Sequence, residues 1–376
     1  MMQPGSVLIT DAKGIIIDIV DLQQAGDDVT VFNGVLSPGF INCHCHLELS
    51  HMRGHIPRHT GLVDFVFKVI SERHYEEQEI FDAMEKAEEE MLTNGIVAVG
   101  DICNNLLTIG QKKLGRLRYH NFIEASGFPP QVAASRFQRA LDLYEAYKKV
   151  SPASIVPHAP YSVSPELFAL INDRQNNQII SIHNQETTAE NEFFEKGSGD
   201  FRRLYEKLGI DISFFTPPRK SSLQTWLPYF SHQQSVILVH NVHTSEKDLG
   251  FLQQHTTKQK LQTFLCLCPN ANLYISNELP DVMLLAESNA DIVLGTDSLA
   301  SNQQLSILEE MRMLQQHFNS LQLSVLLKWA TSNGSRALQM DDQLGSFEKG
   351  KQPGILLIDD VADGKLKKSS AVTRLL

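Results

Sequence analysis

The chain has 376 residues, 42% of them hydrophobic and 20% charged, with a formal net charge of −11. That balance supports a buried core, which excludes a disordered chain, and no apolar run approaches the roughly 18 residues of a membrane span. The acidity argues against a nucleic-acid partner, and Met1–Ser6 has neither the basic start nor the apolar stretch of a secretory leader, so a cytoplasmic location without membrane contact is expected.

From the N-terminus, short apolar runs at Val7–Thr10, Ile15–Val20 and Asp28–Val31, parted by turn signals such as Asp11-Ala12-Lys13-Gly14, predict three small strands. Eight further runs follow: Gly39–Glu48, Ile96–Cys103, Leu117–Glu124, Ala153–Tyr161, Gln178–Glu186, Ser235–His243, Gln262–Asn270 and Asp291–Ser298. Between them Ile80–Thr93, Gln138–Lys149, Ala189–Leu208, Ser245–Gln254 and Leu305–Phe318 carry apolar residues at helical spacing. Strand–helix alternation predicts an α/β fold with a parallel sheet, and eight repeats is the number that closes a (β/α)8 TIM barrel. A last strand is predicted at Gly354–Asp359. The expected organisation is a barrel over residues 39–339 and a small β-sandwich domain built from both chain ends, 1–38 and 340–376. Little sequence precedes the first barrel strand, so that domain is expected to be reduced. The five cysteines, Cys43, Cys45, Cys103, Cys266 and Cys268, form no CxxC pair and read as small strand hydrophobes in a reducing compartment.

Barrel enzymes place their chemistry at the C-terminal ends of the strands. The first barrel strand ends in His44-Cys45-His46, where alternation turns both imidazoles to one side and both thiols to the other. The fifth ends in His183-Asn184-Gln185-Glu186, the sixth in His240-Asn241-Val242-His243 and the eighth in Gly295-Thr296-Asp297-Ser298. Imidazole and carboxylate ligands suit a divalent cation with an open water position, and a cation so held lowers the pKa of that water. Such chemistry needs a proton shuttle, for which Glu186 is the candidate. His240 reads as a further ligand or as an electrostatic partner of the water. Each feature alone is weak, since a strand-end histidine is usually structural and an aspartate before serine usually caps a helix; the metal reading rests on all four in this order.

The segment Pro38-Gly39-Phe40-Ile41-Asn42-Cys43-His44-Cys45-His46-Leu47-Glu48 resembles the first-strand signature of the amidohydrolase superfamily, and His183, His240, Leu294-Gly295-Thr296-Asp297-Ser298 and the tail Gly345–Lys351 agree with it in order. The fourth strand ends in Pro157-His158-Ala159-Pro160-Tyr161, without the lysine of dinuclear members, so the resemblance implies one metal ion: Zn²⁺ first, with Fe²⁺ or Mn²⁺ as alternatives. The His-x-x-Glu of His183 and Glu186 is similar to the nucleobase and nucleoside deaminases. By that resemblance His44, His46, His183 and Asp297 are ligands, His240 and Asp297 orient and deprotonate the water, and Glu186 carries protons to the ring nitrogen and the leaving ammonia. His46-Leu47-Glu48-Leu49-Ser50, Glu186–Phe193, Cys268–Tyr274 and Asp297–Asn302 look like aminodeoxyfutalosine deaminases of the alternative menaquinone route. Deaminases of S-adenosylhomocysteine and methylthioadenosine share several of these features. The chain begins later than members of the family usually do.

The implied partner is a small nucleoside; a homodimer is compatible with the sequence. Glu48 is expected to accept hydrogen bonds from ribose hydroxyls, or to orient a ligand histidine, and His158 to contact the substrate. His51, Arg53, His55 and Arg58 could meet an anionic tail, although loop charges are usually solvated, and Phe65 and Phe67 read as packing residues. Two rivals stand beside the deaminase: a cyclic-amide or imidazolone hydrolase on the same scaffold, and a catalytically silent barrel used for binding. Zinc deaminases that combine H-x-E with P-C-x-x-C, and Ser hydrolases with a GxSxG elbow, are excluded because neither P-C-x-x-C nor GxSxG occurs.

Overall fold

The computed structural model describes residues 5–174, 178–231, 234–288 and 290–376; Met1–Pro4, part of the leader reading, lie outside them. In chain order the strands are β1 (Ser6–Thr10), β2 (Ile16–Asp21), β3 (Val35–Pro38), β4 (Phe40–Cys45), β5 (Ile96–Cys103), β6 (Arg118–Ala125), β7 (Ala153–Pro157), β8 (Ile179–Asn184), β9 (Ser235–His240), β10 (Gln262–Leu267), β11 (Asp291–Leu294), β12 (Ile355–Ile358), β13 (Val361–Ala362), β14 (Lys365–Leu366) and β15 (Val372–Arg374).

β4 to β7 form one parallel four-stranded sheet and β8 to β11 another, each in sequence order. The sheets meet at both pairs of edges. On one seam His183 N–H donates to His158 O at 3.0 Å; on the other Thr296 N–H and Asp297 N–H both donate to His44 O, at 3.1 and 3.0 Å. Asn42 fastens the second seam, donating from Nδ2 to Thr296 Oγ1 at 2.7 Å and accepting at Oδ1 from Thr296 N–H at 3.0 Å. Among the described residues the two sheets thus meet along both pairs of edges, the arrangement a barrel uses.

The strand side chains divide between two clusters. Ile96, Val99, Ile123, Ile180, Ile182, Val236, Leu238 and Leu265 pack with helix residues such as Ile80, Met84 and Met91. Ile41, Phe122, Ile237, Val239, Phe264 and Val293 pack with one another and with Ala337 and Leu338, filling the space the strands enclose. Continuous apolar strands follow from burial on both faces. The helix Glu77–Thr93 shows the matching pattern, burying Ile80, Met84, Ala87 and Met91 on one face. The helix Glu246–Gln259 starts at a capping box in which Ser245 Oγ accepts from Asp248 N–H while Asp248 Oδ2 accepts from Ser245 N–H.

Three expectations need correction. Asp28–Val31 is not a strand: no neighbour pairs with it, and Val31 is 86% exposed. The strand lies later, at β3, which pairs antiparallel with β12, itself paired with β15. Gly34 makes that approach, because a Cβ there would lie 2.5 Å from Ile358 O. The predicted helix Ala189–Leu208 is two helices, Thr188–Lys196 and Asp200–Leu208, broken where Gly197 takes φ 71° as a left-handed cap. Alternation also fails at the end of β4. A register irregularity between Asn42 and Cys45 puts Cys43 in the enclosed cluster and Cys45 in the helix-facing one. The two thiols therefore do not share a side. All five cysteines are buried and free. The remaining strands are the antiparallel pairs β1–β2 and β13–β14. No helix among the described residues is long and apolar enough to cross a membrane.

Candidate active site

His44, His46, His183, His240, Glu186 and Asp297 all lie at the C-terminal ends of the parallel strands. His44 belongs to β4 and His46 follows it. Their Nε2 atoms approach to 3.1 Å, and Asp297 Oδ1 lies 3.5 Å from the first and 3.3 Å from the second. One nitrogen from each of His44, His46 and His183 falls within a common 4.8 Å, close enough to hold one cation. His183 Nδ1 donates to His158 O at 2.7 Å, which leaves Nε2 with its lone pair free. Burial holds His46 well below the ordinary imidazole range and His183 at about 4, so both rings are neutral. Neutral imidazoles converging beside an ionised carboxylate fit a divalent cation of borderline hardness. Burial pushes the Asp297 carboxyl up, but the hydrogen bond from His44 and the electrostatic pull of the His46, His44 and His240 imidazoles outweigh it and hold the group below the usual carboxylate range. Ser301 Oγ donates to its second oxygen at 2.5 Å.

Glu186 lies beside His240, with Oε2 3.5 Å from Nε2. Burial raises its pKa strongly, and the negative charges of Asp297 and Glu190 add to the rise. A carboxyl shifted upward in this way is suited to holding and donating a proton. His240 Nδ1 faces the Asn272 amide at 3.0 Å. Backbone strain aims these groups. Gln185, His240, Asn241 and Asp297 take φ of 48°, 76°, 59° and 58°, a region L-residues enter at a cost of about 1–3 kcal/mol each. Their neighbours hold them there. Gln185 N–H donates to Glu190 Oε1 at 2.9 Å and its Nε2 to Asp248 Oδ2 at 3.0 Å. Asn241 N–H donates to Asn184 O at 3.0 Å, and its Nδ2 to Leu238 O at 2.8 Å.

These residues open onto a cavity of ≈ 520 Å³. Glu48 and His158, the two expected substrate contacts, line it, and burial shifts them to about 7 and about 4. Leu62, Phe65, Val69, Phe128, Leu204 and Leu208 give an apolar wall, so Phe65 faces the cavity as well as the core. The charged loop after β4 does not reach it. His51 bonds to Arg73 O, Arg53 pairs with Glu90, His55 with Glu72, and Arg58 covers the Tyr274 ring. Arg73 and Arg136 line the cavity instead, and Arg139 joins them in an adjoining recess. Sequence reasoning missed these arginines, Arg73 at the end of the helix Leu62–Glu72 and Arg136 and Arg139 on the helix Ala133–Tyr147, and it missed Asn104 and Glu124, which share the cavity wall. Asn272 and Ser301 stood inside recognised motifs, but no sequence signal marked them as partners of His240 and Asp297.

The family description "Amidohydrolase family" matches residues 35–374. An adenosine deaminase of Helicobacter pylori is 26% identical over 92% of this chain and 83% of its own length. A 5-methylthioadenosine/S-adenosylhomocysteine deaminase of Teredinibacter turnerae is 27% identical over 91% and 76%. Among solved structures, Helicobacter pylori aminofutalosine deaminase in complex with methylthio-coformycin superimposes with a TM-score of 0.76 at 23% identity, covering 96% of this chain and 88% of that one. An adenosine deaminase from Xanthomonas campestris with bound zinc gives 0.68 at 21% identity, over 92% and 78%.

Proposed function

The chain belongs to the amidohydrolase family and is a hydrolase acting on C–N bonds, and from that premise we propose that it removes the exocyclic amine of an adenine nucleoside with the help of one divalent metal ion, Zn²⁺ by preference. The observation that carries this is Glu186. A buried carboxyl with a raised pKa, set 3.5 Å from His240 and beside the His44, His46, His183 and Asp297 cluster, suits delivery of a proton to a ring nitrogen. We assign residues 39–339 to the barrel, and 1–38 with 340–376 to the small β-domain, since β3 and β12 join both ends in one sheet.

His44, His46, His183 and Asp297 would hold the cation, which when bound supplies Lewis-acid activation of water. Asp297, ionised and braced by Ser301, takes a proton from the attacking water. His240, held from behind by Asn272, orients that water. Glu186 protonates the ring nitrogen, so that the carbon bearing the amine accepts the water oxygen. Glu186 then takes the proton of the added hydroxyl and passes it to the amine, so that ammonia leaves as the C–N bond breaks and the C=O bond forms, and the proton held by Asp297 restores Glu186. His158 contacts the base.

The substrate we favour is 6-aminodeoxyfutalosine, on the futalosine route to menaquinone. Its aromatic carboxylate tail suits an apolar wall ending at Arg73, Arg136 and Arg139. A second reading is S-adenosylhomocysteine, whose tail carries a carboxylate that the arginines suit beside an ammonium that they repel. Ammonia release from metal-loaded protein tests this against aminodeoxyfutalosine, S-adenosylhomocysteine, methylthioadenosine, adenosine, guanine and cytosine. Preference for the first supports the reading, and preference for another adenine nucleoside moves the pathway but keeps the chemistry. Silence on all six with metal bound overturns it in favour of a cyclic-amide or imidazolone hydrolase.

A further inference from the structure

Strand β4 ends at Cys45, one residue short of His46. The peptide that follows His46 is held by other means. His46 O accepts Leu49 N–H at 3.0 Å, and Leu47 N–H donates to Asp101 Oδ1 at 2.8 Å. Asp101 belongs to β5 and stands opposite Cys45 in the parallel register. With C=O and N–H both tied, the planar His46–Leu47 peptide is fixed, and with it the backbone from which the imidazole projects.

Asp101 is itself locked from behind. Its Oδ2 pairs with Lys112 Nζ at 2.5 Å, and both side chains are wholly buried. Lys112 Nζ also donates to Asn121 Oδ1 at 2.8 Å and to Cys103 Sγ at 3.1 Å, which engages all three ammonium donors. The Tyr119 and Tyr147 rings lie 5.1 and 5.0 Å from the same nitrogen. Burial pulls the Lys112 ammonium down, but Asp101 and Cys103 outweigh it and leave its pKa raised. A buried ion pair adds little net stability over apolar groups of the same volume. The second oxygen of Asp101 gives this one a different use, because it reaches the peptide beside a ligand candidate.

We propose that Asp101, locked by Lys112, is a positioning residue for His46: it accepts the N–H of the peptide after that histidine, where β4 has ended, and so holds the imidazole at the cation site. This rests on the ligand role given to His46 above. It also supplies an anchor for the end of β4 past the register irregularity between Asn42 and Cys45.

The test compares two double variants of the full chain. Asp101→Leu with Lys112→Met removes the ion pair and the acceptor together, without leaving a lone buried charge. Asp101→Asn with Lys112→Met removes the ion pair but keeps an oxygen for Leu47 N–H. Zn²⁺ affinity is measured by competition with a chelator, and melting temperature on the metal-free protein. The first variant should bind Zn²⁺ about 10- to 100-fold more weakly than wild type, and the second should recover most of that loss at a similar melting temperature. Equal affinity in the two variants, or affinity that merely follows melting temperature, overturns the positioning role. Hydrogen exchange on the metal-free wild-type chain gives a reading that depends on neither variant. The Leu47 amide should exchange as slowly as the amides of β5, and fast exchange there overturns the tie. A wild-type chain that binds no Zn²⁺ overturns the ligand role of His46 and this inference together.

Discussion

Strand β6 presents three side chains to the enclosed space, and each has a different fate. His120, near the start of the strand, donates or accepts a hydrogen bond with Ser154 Oγ at 2.8 Å and packs against the Phe122 ring. Phe122, midway, is wholly buried in the apolar cluster with Ile41, Ile237 and Phe264. Glu124, at the C-terminal end, lines the cavity and keeps an unpartnered oxygen. A comparable concentration of chemistry marks the C-terminal ends of β8, β9 and β11, where Gln185, His240, Asn241 and Asp297 take positive φ angles and His183 is neutral. Stability and chemistry are thus separated along each strand, so substitutions at the two ends should fail in different ways.

The sharpest contrast is between His183 and Phe122. His183→Ala should remove bound metal and turnover together while the protein stays folded, read by metal analysis and circular dichroism; stoichiometric metal in the variant would take His183 out of the ligand set. Phe122→Ala should do the reverse, costing about 3–5 kcal/mol of stability in urea unfolding while the surviving folded protein keeps its metal. A smaller effect concerns pH. Burial holds folded His120 at about 4, below the roughly 6.5 of an unfolded imidazole. Between those values the unfolded chain binds a proton that the folded chain does not, so stability falls as pH drops through that window. His120→Asn should flatten the acid limb by about 2 kcal/mol between pH 7 and pH 5; an unchanged slope would remove His120 from the acid response. Smallest is Ser301→Ala, which deletes the donor to Asp297 Oδ2 and should lower metal affinity or turnover by about 10- to 100-fold with little change in melting temperature.

The eight strands were legible because each is a short apolar run with a polar end, a pattern that burial on both faces imposes. Asp28–Val31 misled for a related reason: alternation says nothing about whether a partner strand exists. Asp297 could be placed from spacing, whereas His44 follows Ile41 and Cys43 on the enclosed face and reaches the site only through the irregularity at the end of β4. His240 could not be placed by alternation, since Ile237 and Val239 already occupy the enclosed face and the next residue should turn away; its φ of 76° turns it back. The hold of Asp101 on Leu47 and the cluster of three arginines escaped because they exist only where distant segments meet. Strain and long-range polar pairing leave no periodic mark in a sequence.

The central claim is a division of labour, in which histidines and Asp297 hold the cation while Glu186 moves protons. Metal content and ammonia release measured on one preparation of Glu186→Gln test it most directly. The account predicts full metal occupancy with turnover reduced by about 10²- to 10⁴-fold, and near wild-type turnover with metal bound would contradict it.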